Sequence, residues 1–175
     1  MFLTFDDGPS TKYTPKILQI LAKYKAHATF FALGDAFDVH PHLVNKIRAG
    51  GHAIGNHTHD HKSLPDLSDE NLREELKTGP VSRCFRPPYG AINDDVREIA
   101  AEMGQEVVLW DVDPRDWDRP GADTIEERVL EGGVAPGAIV LMHDGGGDRS
   151  QTVTALARLM PQFVERGYSF EAMPC

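Results

Sequence analysis

The chain has 175 residues, of which 41% are hydrophobic and 26% charged, with a formal charge of −9. This size and composition fit one globular domain with a substantial core and exclude a disordered chain. The charge argues against nucleic acid or an anionic membrane as the main partner, and no apolar run is long enough to span a membrane. A neutral ligand such as a sugar polymer is compatible with it. No charged-then-apolar leader precedes the first strand, so the chain is expected either to be made without a signal peptide or to have had one removed. The only cysteines, Cys84 and Cys175, are not spaced as metal ligands and are expected to be buried or idle thiols rather than a bonded pair.

Apolar runs read as strands fall at 2–5, 28–32, 53–55, 84–86, 107–111, 138–142 and 168–172. Helical patterns lie between them. The first helix has Thr14 as N-cap and Pro15 at its first position. The second starts near Pro41 and stops at Gly50-Gly51. Ser68 caps the third, the fourth runs over about 93–104, and Thr124 to Glu127 has capping-box spacing in the fifth. The sixth spans about 152–167. Strands alternating with helices imply a mainly parallel α/β sheet, open or curled into a barrel. The unusual polar residues cluster at strand C-terminal ends, which in such folds converge on one face and carry the active site.

Asp6 and Asp7 end the first strand in an Asp-Asp-Gly-Pro-Ser segment. This is good turn chemistry, but a turn can also direct both carboxylates to one site, one binding a cation and the other acting as a base. His57 and His61 stand four apart and share a face if the segment makes a helical turn, whereas His59 points elsewhere. An Asp and two His suffice for a metal with open coordination positions. His27, His40, His42 and His52 lack such company and are read as structural or surface residues. After the fourth strand, Arg86-Pro-Pro-Tyr89 is a rigid turn in which Arg86 would form a fork to a carboxylate and the Tyr89 N–H would face an oxyanion. Trp110 is read as core and Trp117, in a polar turn, as a wall for substrate. His143 ends a strand with a pKa suited to proton donation; Asp144 beside it is also consistent with an ordinary surface pair.

Five motifs in order, Thr4-Phe-Asp-Asp-Gly8, His57-Thr-x-x-His61, Arg86-Pro-Pro-Tyr89, Asp113-x-x-x-Trp117 and Leu141-x-His143, resemble those of the NodB-type polysaccharide deacetylases, a carbohydrate esterase family, over essentially the whole chain. The resemblance implies a distorted, incomplete (β/α) barrel, here with about seven parallel strands. It implies that Asp7, His57 and His61 hold one divalent metal ion, zinc foremost, with cobalt or another divalent ion as alternatives. Asp6 would be the general base on a metal-activated water, oriented by Arg86, and Tyr89 would stabilise the oxyanion. His143 would protonate the leaving amine with an Asp partner, for which Asp113 is preferred over Asp116 because Asp116 lies farther into the turn. Leu141 and Trp117 would enclose the acetyl methyl group. The expected activity is deacetylation of N-acetylglucosamine polymers or oligomers, chitin or peptidoglycan, by a monomer at an extracellular or cell-envelope address. Acetylxylan esterase is the alternative within the class. A non-catalytic sugar-binding module would lack a ligand, base or acid, and none is missing. A phosphoesterase would require more cationic or two-metal equipment than the chain shows.

Overall fold

A computed structural model describes all residues, Met1–Cys175. Six strands form one parallel sheet: β1 (Phe2–Asp6), β2 (Thr29–Ala32), β3 (Ala53–Asn56), β4 (Cys84–Phe85), β5 (Glu106–Val107) and β6 (Ile139–His143), in the order β5-β4-β3-β2-β1-β6. The connecting helices are α1 (Thr14–Lys23), α2 (Gly34–Val39), α3 (Pro41–Ala49), α4 (Asp69–Thr78), α5 (Asp94–Glu102), α6 (Ala122–Glu131) and α7 (Ser150–Glu165).

The sheet is curled. Beyond β5 the chain leaves β4 and crosses to the opposite edge, where Val112 bridges Val140 of β6 in parallel. The Leu141 N–H donates to the Val112 carbonyl at 2.9 Å. The run expected as one strand at 107–111 is therefore shared between the two edges: its start pairs with β4 and its end meets β6.

The seventh expected strand, 168–172, does not form. β1 offers it no free edge, because β2 and β6 pair with both sides of that strand. The segment instead runs across the strand starts. The Met1 amine donates to the Ser169 carbonyl at 2.9 Å, the His27 N–H to the Phe170 carbonyl at 3.1 Å, and Phe170 packs in the core.

Period-two alternation sets what each face of β1 meets. Leu3 and Phe5 enter the main core with Ile17, Leu21, Phe30, Val140, Met142, Leu156 and Phe163, beneath the helices. Burying each large apolar side chain contributes about 1.5–3 kcal/mol. Thr4 and Asp6 face the other way, into the barrel. A smaller core under α4 and α5 gathers Leu72, Leu76, Phe85, Val96 and Ile99.

Helix starts follow the sequence in part. Ser68 caps α4, and Asn93 caps α5 by accepting the Val96 N–H at 2.9 Å. Thr14 is not an N-cap: it is the first residue of α1, and its hydroxyl accepts the Ser10 N–H at 2.8 Å while donating to Asp144. Thr124 likewise lies inside α6, which starts after Gly121, so the capping box is not made. Cys84 and Cys175 are bonded, contrary to the expectation of idle thiols. The C-terminal tail brings Cys175 back to β4, a path that two cysteines 91 positions apart do not reveal.

Candidate active site

Strand register assembles the site. In the parallel β1–β6 pair, Thr4 is opposite Leu141 and Asp6 opposite His143. Residues in register share a face, so these four side chains are directed into the barrel together. At the end of β1, Asp7 adopts a left-handed backbone (φ 71°), which turns its carboxylate toward the same opening.

Asp7 Oδ1 lies 3.4 Å from His57 Nε2 and 3.3 Å from His61 Nε2. The donor atoms of these three residues all lie within 4.8 Å of one another. His57 and His61 do not share a helical turn. They sit in the loop after β3, where Thr58 and His61 have positive φ (69° and 66°), and this backbone brings both rings to Asp7. His57 Nδ1 is 2.7 Å from the Arg86 carbonyl. A carbonyl only accepts, so Nδ1 carries the proton and Nε2 presents a lone pair. Burial pulls the His61 pKa down, which favours the neutral ring that ligation requires. Burial raises the Asp7 pKa, but protonation of the surrounding imidazoles, His57 first, would outweigh this and hold it well below the usual carboxylate range. Asp7 Oδ1 is nevertheless buried with no hydrogen-bond partner. A buried carboxylate oxygen left orphaned between two imidazole nitrogens is what a cation would satisfy, so this donor set fits a divalent metal.

Asp6 is buried beside this group, its Oδ2 3.8 Å from His57 Nε2. Its Oδ1 accepts from Arg86 Nη1 at 2.8 Å. Arg86 is completely buried, and it does not grip a carboxylate as a fork. Nη1 also donates to Thr4 Oγ1 (2.8 Å), Nη2 to the Leu109 carbonyl (3.0 Å) and Nε to the Val108 carbonyl (3.2 Å). The guanidinium stacks on Phe31, its Cζ 4.0 Å from the ring centre.

His143 pairs with Asp116, not Asp113. Nδ1 is 2.7 Å from Asp116 Oδ1, while Asp116 Oδ2 accepts the His143 N–H (2.9 Å) and the Thr152 hydroxyl (2.7 Å). Pro114 and a left-handed Arg115 (φ 54°) reverse the chain, so the residue farther into the turn is the one carried inward. Asp113 lines the cavity, and its Oδ1 accepts the Arg115 N–H at 2.7 Å, tying the turn. Burial pulls the His143 pKa down, but the Asp116 hydrogen bond and the charges of Asp116, Asp6 and Asp7 outweigh it and raise it to about 9.

These groups open on a cavity of about 350 Å³, lined also by Pro87, Tyr89, Trp110, Trp117 and Leu141. Trp110, expected in the core, is a half-buried wall of it. Tyr89 has a left-handed backbone (φ 59°), an exposed ring whose centre lies 4.6 Å from that of His61, and an N–H that donates no hydrogen bond within the protein. Asp144 is not a surface residue. It is fully buried, accepts from the Thr14 hydroxyl, and its pKa is raised to about 7 by burial and by the charges of Asp7 and Asp6. Of Asp113 and Asp116, the less favoured acid is thus the partner of His143, and Thr152, which steadies it, carries no motif in the sequence. Pro114, directly after Asp113, is the signal in the sequence, since a proline reversal between the two acids changes which of them faces inward.

A family model described as polysaccharide deacetylase matches residues 1–108. The chain is 45% identical to a peptidoglycan-N-acetylglucosamine deacetylase of Bacillus cereus, over 96% of this chain and 83% of that protein. It is 38% identical to a chitooligosaccharide deacetylase of Sinorhizobium fredii, over 99% and 90% respectively. The solved structure of a peptidoglycan N-acetylglucosamine deacetylase in complex with 4-naphthalen-1-yl-N-oxidanyl-benzamide superposes with a TM-score of 0.93 at 37% identity, covering 99% of this chain and 85% of that one. A matched family model, relatives aligned over most of their length and a shared fold agree: the chain belongs to the polysaccharide deacetylase family.

Proposed function

We propose that this enzyme hydrolyses the N-acetyl groups of N-acetylglucosamine-containing glycans, peptidoglycan or chitooligosaccharides, with a divalent metal held by Asp7, His57 and His61. The observation that carries the reading is the orphaned Asp7 Oδ1 between two imidazoles, with Asp6 on one side and His143 lining the same cavity. When bound, such an ion supplies a Lewis acid that polarises the acetyl carbonyl and makes water a better nucleophile.

The protein residues divide the proton transfers. Asp6, held by Arg86, accepts the proton of the attacking water. As the carbonyl carbon becomes tetrahedral, the unpaired Tyr89 N–H is available to the oxyanion. His143, kept protonated at neutral pH by Asp116, donates to the departing nitrogen, the C–N bond breaks, and acetate and a free amine result. Leu141 and Trp117 supply apolar surface for the acetyl methyl group, and the exposed rings of Trp117 and Tyr89 offer faces for sugar. The histidine and carboxylate donors suit zinc, with cobalt or another divalent ion as alternatives.

The Cys84–Cys175 bond supports an extracellular or envelope address, where disulfides persist. A monomer is sufficient, since every proposed group comes from one chain. The test is acetate release from chitooligosaccharides, peptidoglycan glycan and acetylated xylan, with metal stripped and restored. Release from the N-acetylated substrates only when metal is present is expected. Activity that persists after complete metal removal, or confined to acetylxylan, would overturn the reading.

A further inference from the structure

The loop carrying His57 and His61 belongs to no helix or strand, so its shape depends on hydrogen bonds made outside regular secondary structure. At its start, Asn56 Oδ1 accepts the Thr58 N–H at 2.8 Å, and Thr58 Oγ1 accepts the His61 N–H at 3.2 Å. Its middle is held from two sides: the Gly34 and Asp35 N–H groups of α2 donate to the Thr58 (2.9 Å) and His59 (3.2 Å) carbonyls, and a charged group reaches it from α4. Glu75, a buried residue of α4, directs Oε2 at two successive backbone N–H groups, of His59 (3.2 Å) and Asp60 (3.3 Å). Its Oε1 accepts from the Lys62 ammonium at 2.8 Å. A carboxylate is costly to bury unless its oxygens are satisfied, and every partner found for Glu75 lies in the stretch around His61. Glu75 does not line the catalytic cavity.

We infer that Glu75 is a positioning residue for the metal site: by clamping residues 59, 60 and 62 from α4, it fixes the distance and angle between the His57 and His61 donors. The inference rests on the proposed metal site. The groups that orient metal ligands typically govern affinity by about 10–100-fold. Glu75→Ala removes the clamp. Glu75→Gln keeps the volume and one acceptor, but turns an amide toward Lys62 or toward the backbone donors, so it restores only part of it.

The experiment is zinc titration of metal-free wild type, Glu75→Ala, Glu75→Gln and His57→Ala against a competing chelator, with the melting temperature of each metal-free protein recorded alongside. Zinc affinity is expected to fall by about 10–100-fold in Glu75→Ala, with Glu75→Gln between it and wild type. A residue serving only the fold would lower the metal-free melting temperature and leave zinc affinity at the wild-type value, and that result would overturn the inference. If Glu75→Ala does not fold, Glu75→Gln decides alone: wild-type affinity refutes and weakened affinity supports. Wild type that takes up no zinc, or binds it no better than His57→Ala, defeats the metal reading and this inference with it. Tight wild-type binding with unchanged Glu75 variants defeats only this inference.

Discussion

At the scale of single residues, the site is a set of charges whose environments push their proton affinities apart. Asp6→Asn keeps the shape of the proposed base without its basicity. It should bind metal normally and lose about 10²–10⁴-fold in turnover, read by acetate release beside a zinc titration. His143 poses the complementary test. Its pKa is raised from an ordinary 6.5 to about 9, so the protonated form is favoured by the fold. The stability this contributes is complete below pH 6.5 and is lost as pH rises toward 9. Asp116→Asn removes the main cause, so the alkaline limb of kcat should move to lower pH; a limb that stays in place would refute the pairing as its origin. Gly146 offers a steric test, because it has φ +69° and a Cβ there would lie 2.3 Å from Asp7 Oδ2. Gly146→Ala is expected to weaken metal binding, measured by titration. Most of this chemistry was legible in the residue string, since Asp6-Asp7, His57-His61, Arg86 and His143 announce themselves by type and spacing. Asp116 was not, because proximity along a strand favours Asp113 while a left-handed Arg115 decides the matter in space.

At the scale of elements, the strands that position the site are short and depend on their neighbours. β4 and β5 are two residues each, and β5 gives way to a segment that Arg86 holds through the Val108 and Leu109 carbonyls. The helices behind them can be weakened without touching the chemistry. Asn93→Ala removes the α5 cap and should cost about 1 kcal/mol. That corresponds to a melting temperature lower by about 2–4 °C, with kcat unchanged. Element type was readable from apolar runs and caps, but partner availability was not. The apolar stretch at 168–172 has the look of a strand, yet both edges of β1 were already filled. Likewise Thr14 has the right side chain for a cap, but its hydroxyl is committed to Ser10 and Asp144.

At the scale of the whole molecule, the disulfide ties the last residue to the inner strand β4 across 91 positions. Closing a loop of that length stabilises by about 4–5 kcal/mol in the chain-entropy model. Reduction, or Cys175→Ser, should therefore lower the melting temperature by about 10 °C, measured with and without reductant.

Arg86 is where these scales meet. The same guanidinium holds the proposed base, the barrel-facing Thr4 and the two carbonyls of the segment that joins the sheet edges. Its loss would leave a buried acid uncompensated and unfasten the fold along with the reaction. Evolutionary drift should register this difference. Descendants of this scaffold that abandon catalysis are expected to shed Asp6 or a histidine long before they shed Arg86, so its persistence in a relative testifies to architecture, and only the surrounding donors testify to activity.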